Sequence, residues 1–364
     1  MKKRANSLYI HIPFCRHICP YCDFLKLLKN KDFEAKYVKQ LIKDLSFFED
    51  KSFKFKTIYI GGGTPSCLEK ENLIFILSKI KHLLANDYEF SIEVNPEDIT
   101  ENLLKTFKKY GINRISIGIQ TFDEKTLDSI KRNYHINYKE MICLVKKYIK
   151  NINLDFIYGL PGYSKEILEN DLKTFFLLDV NHASFYSLIV EKGTLYYKEN
   201  VKEIDDDISR EYYDLILNEM RQHGFNRYEV SNYSKPGFEC EHNLAYWKNK
   251  EYYAIGIGSS GYVGDIRYKN SSNFNKYING INEVEKEKIN TELLEEYYLI
   301  TNLRLESGFS LLEYKKIFKK DFESTYKEKI NTLLSKKLVS IKNNRFFCTD
   351  EGLILLDQVL LILI

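Results

Sequence analysis

Ser7-Leu8-Tyr9-Ile10-His11-Ile12-Pro13-Phe14-Cys15-Arg16-His17-Ile18-Cys19-Pro20-Tyr21-Cys22 is the stretch on which the reading of this chain turns. Its first half is a short strand, Leu8–Ile12, stopped by Pro13. Its second half places three cysteines within eight residues, spaced Cys-x-x-x-Cys-x-x-Cys. Cysteines crowded in this way point to metal or redox chemistry rather than to a disulfide framework. Four thiolates saturate a zinc ion or an iron–sulfur cluster, whereas three leave one iron of a [4Fe–4S] cluster without a protein ligand. The competing reading is a zinc site completed by His17 or His11. The position directly after a first strand, and Tyr21 just before the third cysteine, favour the cluster.

An open iron suits S-adenosylmethionine (SAM), whose amino and carboxylate groups can chelate it and set the sulfonium beside the cluster for one-electron cleavage. Working outward, further strands are expected at Thr57–Ile60, Glu89–Val94, Arg114–Ile117, Asn153–Ile157 and Ala183–Ile189. Helical patterns separate them at Asp32–Phe48, Glu69–Leu84, Thr100–Tyr110, Tyr138–Lys150 and Lys165–Leu178. Several of these strands read as apolar almost throughout, as parallel strands covered on both faces do. Six strand–helix repeats describe most of a β/α barrel, whose working face is built at the C-terminal strand ends. A doubly wound open sheet fits the same periodicity.

Chemistry-bearing residues gather where a barrel would put its site. Gly61-Gly62-Gly63-Thr64-Pro65 ends the second strand, Glu93 the third and Gln120 the fourth, and Asp155 lies within the fifth. A glycine run permits a tight turn or a close approach of backbone to ligand. Opposite the cysteine loop, it reads as a cradle for the SAM amino group, with the three polar residues converging on the same mouth. Arg132, after a helical stretch, reads on pattern alone as an exposed side chain.

Past Glu191 the regularity fades. A helix near Asp206–His223 precedes a loop-rich segment, Asn226–Tyr262, dense in aromatics and glycines. Helical patterns return at Thr291–Arg304, Ser310–Phe318 and Phe322–Lys336. A two-strand wing follows, Leu338–Ile341 and Arg345–Thr349, turned by Asn343-Asn344, and then a closing helix. The expected division is a core barrel over 1–190, a loop-rich extension over 191–284 and a winged-helix-like domain over 285–364.

Hydrophobic residues make up 44% of the chain, charged residues 29%, and the net charge is only +3, which is ordinary for a soluble globular protein. No basic stripe stands out: Lys315, Lys316, Lys319 and Lys320 at helical spacing read as a solvated face, which argues against a nucleic-acid partner. Met1-Lys2-Lys3-Arg4 leads into no apolar leader, and the apolar tail from Gly352 is interrupted by Asp357 and Gln358, so no transmembrane segment is expected. The expected location is the cytoplasm. Cys67, Cys143, Cys240 and Cys348 read as buried small apolar side chains or inert thiols.

Tyr9 through Cys15, Gly61–Pro65, Ile92–Pro96, Gln120 and Tyr158–Gly162 resemble the oxygen-independent coproporphyrinogen III oxidase group of radical SAM proteins, over about Ser7 to Gly264. The resemblance implies a radical SAM partial (β/α)6 TIM-type barrel, α/β in class, followed by a small α+β winged-helix-like C-terminal domain. It implies that Cys15, Cys19 and Cys22 hold a [4Fe–4S] cluster with an exchangeable SAM. Tyr9, Gly62 and Glu93 match residues that bind this SAM. Tyr21, Gly63, Thr64, Gln120, Arg132 and Asp155 match positions that contact a second SAM in the oxidase.

The group has two branches, a decarboxylating oxidase and a haem chaperone that delivers haem to acceptor proteins. Only eight residues precede Tyr9, where the oxidase carries a long segment, and Phe24 stands where the oxidase has a fourth cysteine. His242-Asn243-Leu244-Ala245-Tyr246-Trp247 matches the HNxxYW signature of the chaperone branch and holds the only tryptophan. An imidazole beside aromatic rings suits an axial haem ligand; a buried, hydrogen-bonded histidine under the barrel is the plainer reading of the residues alone. The resemblance favours haem on His242 and an unidentified acceptor protein as partner. The alternatives are the oxidase, acting in porphyrin metabolism, and a radical SAM enzyme for another substrate such as RNA.

Overall fold

The computed structural model describes residues 5–132, 134–281 and 284–364; the basic opening, Met1-Lys2-Lys3-Arg4, lies outside the described residues. Six strands run parallel and adjacent in chain order: β1 (Ser7–Ile12), β2 (Phe55–Gly62), β3 (Leu84–Val94), β4 (Arg114–Gln120), β5 (Asn151–Tyr158) and β6 (His182–Ser187). A doubly wound sheet reverses strand order beside its first strand. Here each strand pairs with the next without reversal, so the sheet curls as an open partial barrel. Helices α1 (Lys31–Asp50), α2 (Lys70–Lys81), α3 (Glu101–Tyr110), α4 (Glu124–Ser129), α5 (Tyr138–Lys146) and α6 (Lys165–Leu177) link consecutive strands. The starts of α1, α3, α5 and α6 are capped by side-chain oxygens of Asn30, Thr100, Asn137 and Ser164.

The loop-rich segment contributes to the same sheet. After α7 (Asp206–Gln222), β7 (Asn226–Glu229) and β8 (Asn232–Ser234) add antiparallel strands beyond β6, and β9 (Tyr253–Ile255) adds a parallel one at the free edge of β1. The stretch His242–Trp247, expected in a loop, lies in a short helix, α8 (Glu241–Trp247).

The expectation that the strands are apolar on both faces is overturned. Ile10, Ile58, Ile60, Phe90, Ile92, Ile115, Ile117, Leu154 and Phe156 form one face and pack in the hydrophobic core. The alternate positions carry Thr57, Glu89, Ser91, Arg114, Ser116, Asn153, His182 and Ser184, all buried. Side chains two apart in a strand share a face, and the polar ones meet across the concave side. Asn153 Nδ2 donates to Ser116 Oγ (2.6 Å) and Ser184 Oγ (3.0 Å), and His182 Nδ1 is hydrogen-bonded to Asn153 Oδ1 (2.6 Å). The concave face can remain polar because most of its groups are hydrogen-bonded, to one another or, for Thr57 and Glu89, to α8.

A second hydrophobic cluster, with Tyr298, Phe309, Tyr314, Phe322 and Phe346, gathers the C-terminal elements. Its three strands, Phe309–Ser310, Arg345–Cys348 and Val339–Lys342, include one more than the two-strand wing expected. Asn343 and Asn344 turn the hairpin with φ of 51° and 58°, a left-handed pair that asparagine tolerates. The helix expected over Phe322–Lys336 is two helices, Phe322–Thr325 and Lys327–Ser335, broken at Tyr326. No described helix is long and apolar enough to cross a membrane.

Candidate functional site

Cys15 ends a two-residue strand, Phe14–Cys15, that pairs with Leu27–Leu28 and so closes the loop carrying Cys19, Tyr21 and Cys22. The closure is made by Leu27 N–H to the Pro13 carbonyl (2.7 Å) and Lys29 N–H to the Cys15 carbonyl (2.8 Å). Inside the loop, Cys22 N–H donates to the Cys19 carbonyl (3.2 Å). The Thr64 hydroxyl lies 3.6 Å from Cys15 Sγ and ties the loop to the glycine run. Burial pushes the Cys15 thiol up to about 11 and also raises Cys22. Burial works the same way on Cys19, but His17 and the Arg132 guanidinium outweigh it and bring that thiol down to about 7. As placed, the three thiols line one cavity without closing into a ready-made metal-ligand group.

The glycine run follows from crowding. A Cβ on Gly61 would lie 2.7 Å from Glu93 Oε1, and one on Gly62, whose φ is +117°, would lie 2.5 Å from the His11 ring. That space lets Gly62 N–H donate to Glu93 Oε2 (2.9 Å), while the Tyr59 hydroxyl donates to Oε1 (2.9 Å). Burial, and then Asp155, raise the Glu93 carboxyl to about 7 despite these two bonds. Asp155 is likewise raised by burial, and it accepts from Ser116 Oγ (2.6 Å) and Asn153 Nδ2 (2.8 Å).

Gln120 stands at a strand irregularity with φ of 70°, a strained geometry for a residue with a side chain. Arg132 is not exposed. Its guanidinium is buried, donates from Nη1 to the Gly118 carbonyl (2.6 Å), and keeps Nε without a hydrogen-bond partner. The loop after α4 folds it back over the barrel mouth, a placement that helix periodicity does not encode.

One cavity of about 440 Å³ at the C-terminal strand ends is lined by Cys15, Cys19, Tyr21, Cys22, Gly62, Gly63, Thr64, Glu93, Gln120, Arg132 and Asp155. Tyr9 is not among its lining residues; its hydroxyl bonds His11 Nδ1 (3.1 Å) beneath the cradle. Tyr59 and Ser116 line the cavity and went unnoticed in the sequence. Period-two polarity in the strands is the signal that could have found them.

His242 lies elsewhere. It is buried lower in the barrel, with Nδ1 hydrogen-bonded to Thr57 Oγ1 (2.9 Å) and Nε2 to the Tyr246 hydroxyl (2.7 Å). Burial lowers its pKa to about 3, so the ring is neutral. Neither nitrogen is free where the ring stands.

The pattern of the Radical SAM superfamily matches residues 9–175, and that of the HemN C-terminal domain matches residues 290–355. Among curated proteins, the heme chaperone HemW of Lactococcus lactis subsp. lactis (strain IL1403) is 38% identical over 365 residues, covering 97% of this chain and 95% of the relative. The heme chaperone HemW of Bacillus subtilis (strain 168) is 33% identical over 372 residues, covering 97% and 98%. Among solved structures, the coproporphyrinogen III oxidase HemN of Escherichia coli superposes with a TM-score of 0.87 at 18% identity, covering 99% of this chain and 90% of that one. At that identity the likeness carries the fold.

Proposed function

The chain belongs to the heme chaperone HemW family of radical SAM proteins, and on that premise we propose that it binds haem, a [4Fe–4S] cluster and SAM, and hands the haem to an acceptor protein. The observation that carries this reading is the similarity to chaperones of that name over 97% of the chain. The oxidase reading is not favoured, because the oxidase shares the fold at only 18% identity.

The residues at the barrel mouth suit the cofactors. SAM brings an ammonium, a carboxylate and a sulfonium. The cavity offers two half-buried carboxylates, Glu93 and Asp155, and one buried guanidinium, Arg132, whose Nε lacks an acceptor. Charges held out of bulk water with their hydrogen bonding only partly met are costly, so such a set favours a ligand of complementary charge. In this reading Cys15, Cys19 and Cys22 ligate the cluster, and Tyr9, Gly62 and Glu93 hold the SAM bound to it. Tyr21, Gly63, Thr64, Gln120, Arg132 and Asp155 are the further SAM contacts. When bound, the cluster and SAM supply one-electron chemistry; the chain's own part is to seat the amino acid end of SAM against Gly62 and Glu93 and to shield it from water.

Ile18, Phe24 and Ile189 stand exposed at the cavity mouth, an apolar rim of the kind a porphyrin face requires. His242 enters as the haem ligand only if its ring leaves both of its hydrogen bonds. The proposed division of the chain remains 1–190, 191–284 and 285–364; the two separate hydrophobic clusters support the boundary near 285, whereas 191–284 shares the core and the sheet of the barrel. The cytoplasm is the proposed location.

The test is anaerobic reconstitution with iron and sulfide, followed by haem titration. The expected protein carries about four irons, develops a Soret band, and passes haem to an apo-acceptor. Formation of protoporphyrinogen from coproporphyrinogen III would replace this reading with the oxidase.

A further inference from the structure

We propose that His242 is a positioning residue for the Glu93 carboxylate and acts through the Tyr59 ring. The helix α8 enters the barrel beside the lower half of β2 and β3, where the Glu89 carboxylate accepts the backbone N–H groups of Glu241 and His242 (both 3.1 Å). With the helix start held, the imidazole is fixed at both edges, by Thr57 and by Tyr246. Its face stacks on Tyr59, with centroids 5.3 Å apart and planes at 27°. Tyr9 stacks against Tyr59 as well, at 6.3 Å and 25°.

Tyr59 thus has two rings stacked against it, and its hydroxyl is delivered to Glu93 Oε1, leaving Oε2 for the Gly62 N–H. A tyrosine without such a clamp has rotamer freedom, and its hydroxyl would hold the carboxylate only part of the time. Both bonds of the imidazole are spent on holding its own plane, which is what a seat needs and what an iron ligand does not.

Hydrogen exchange, read by mass spectrometry on the full chain without ligands, tests the relay directly. His242→Ala is expected to raise deuterium uptake in peptides covering 59–63 as well as 241–247. His242→Phe keeps a ring against Tyr59 but no nitrogen for iron, and is expected to loosen 241–247 only. In the anaerobically reconstituted protein, His242→Ala and Tyr59→Phe should each weaken SAM binding about fivefold to tenfold, the double variant no further, and His242→Phe less than about twofold.

Unchanged exchange at 59–63 in His242→Ala overturns the proposal, as does a His242→Phe variant as loose there as Ala. Multiplicative losses in the double variant also overturn it. The affinity arm rests on the reading of Glu93 as part of the SAM cradle. A reconstituted wild type that bound no SAM would count against that reading, and the exchange result alone would then decide this one.

Discussion

The Arg304 guanidinium lies 4.8 Å from the centroid of the Trp247 ring, stacking the turn just past the helix Thr291–Asn302 on the end of α8. The neighbouring backbone joins the same units: Val230 N–H donates to the Arg304 carbonyl (3.1 Å) and Glu306 N–H to the Tyr228 carbonyl (3.2 Å). One short helix therefore presents His242 to the barrel and Trp247 to Arg304.

Because Trp247 is the only tryptophan, its fluorescence reports this contact alone. Arg304→Gln should shift the emission to the red and cost about 1 kcal/mol, the value of a partly desolvated cation–π pair. Emission spectra and the fluorescence-detected thermal midpoint check it. An unchanged spectrum would mean that the guanidinium does not cover the indole in solution.

Glu93 should make stability without ligands fall as pH rises. Its folded pKa, about 7, lies above the ordinary carboxylate value. The folded state therefore holds the proton more tightly, and this contribution is full below about pH 4.3 and lost as pH climbs through 7. The difference between the ends of that window is about 3 kcal/mol. Glu93→Gln should flatten it and be the more stable protein at pH 8, while losing SAM affinity. Urea midpoints at pH 5 and pH 8 for the two proteins supply the comparison.

Cys15→Ala, Cys19→Ala and Cys22→Ala should each abolish the iron and sulfide content of the reconstituted protein. Replacing Cys240 or Cys348, buried away from the loop, Cys67, buried against the Phe14 carbonyl at the base of the loop (3.4 Å), or the exposed Cys143, should leave about four irons in place. Iron and sulfide assays on the seven variants check this. A wild type that takes up one zinc and no sulfide would contradict it.

Arg227 is buried, with its side chain fully shielded, and is paired to Asp350 at 2.5 Å and to the Tyr213 hydroxyl. Asp350 also receives Arg221 (2.8 Å). Removing the carboxylate leaves the buried cation only Glu306, at 3.8 Å, as a counter-charge, so Asp350→Ala should cost about 3 kcal/mol. Arg210→Ala, which breaks a solvent-exposed pair with Glu351, should cost less than about 1 kcal/mol. Hydrogen bonding from Arg221, and then the charge of Arg227, outweigh burial and hold the Asp350 carboxyl below its usual range. Its contribution is therefore present above the ordinary carboxylate pKa and lost as pH falls through the folded value. Chemical denaturation of the two variants at neutral pH, with the wild type repeated under acid, tests both statements.

Much of the fold was legible because local patterns carry it. The six strand–helix repeats, the cap residues and the Asn343-Asn344 turn each depend on residues close in sequence, so periodicity and turn chemistry locate them within a few residues. The candidate site was legible at its strand ends for the same reason: Gly62, Glu93 and Asp155 follow or close strands of a barrel, whose geometry brings such positions together. The breaks at Tyr326 and Leu355 were missed, since the flanking residues keep a helical pattern across both.

From the sequence alone came the cysteine loop, the strand–helix repeats and the family resemblance, all of which are written in residue types at short spacing; strand order then decided for a barrel over a doubly wound sheet. Only the tertiary structure decided where Arg132 and His242 point. Arg132 reads as a surface residue until its loop folds it over the Gly118 carbonyl. For His242 the residues alone suggest a buried, hydrogen-bonded ring, but only the fold supplies its partners: Thr57, 185 positions away, and Tyr246 take both of its nitrogens. A side chain's chemistry depends on which groups compete for its atoms, and at that separation the competitors are chosen by packing.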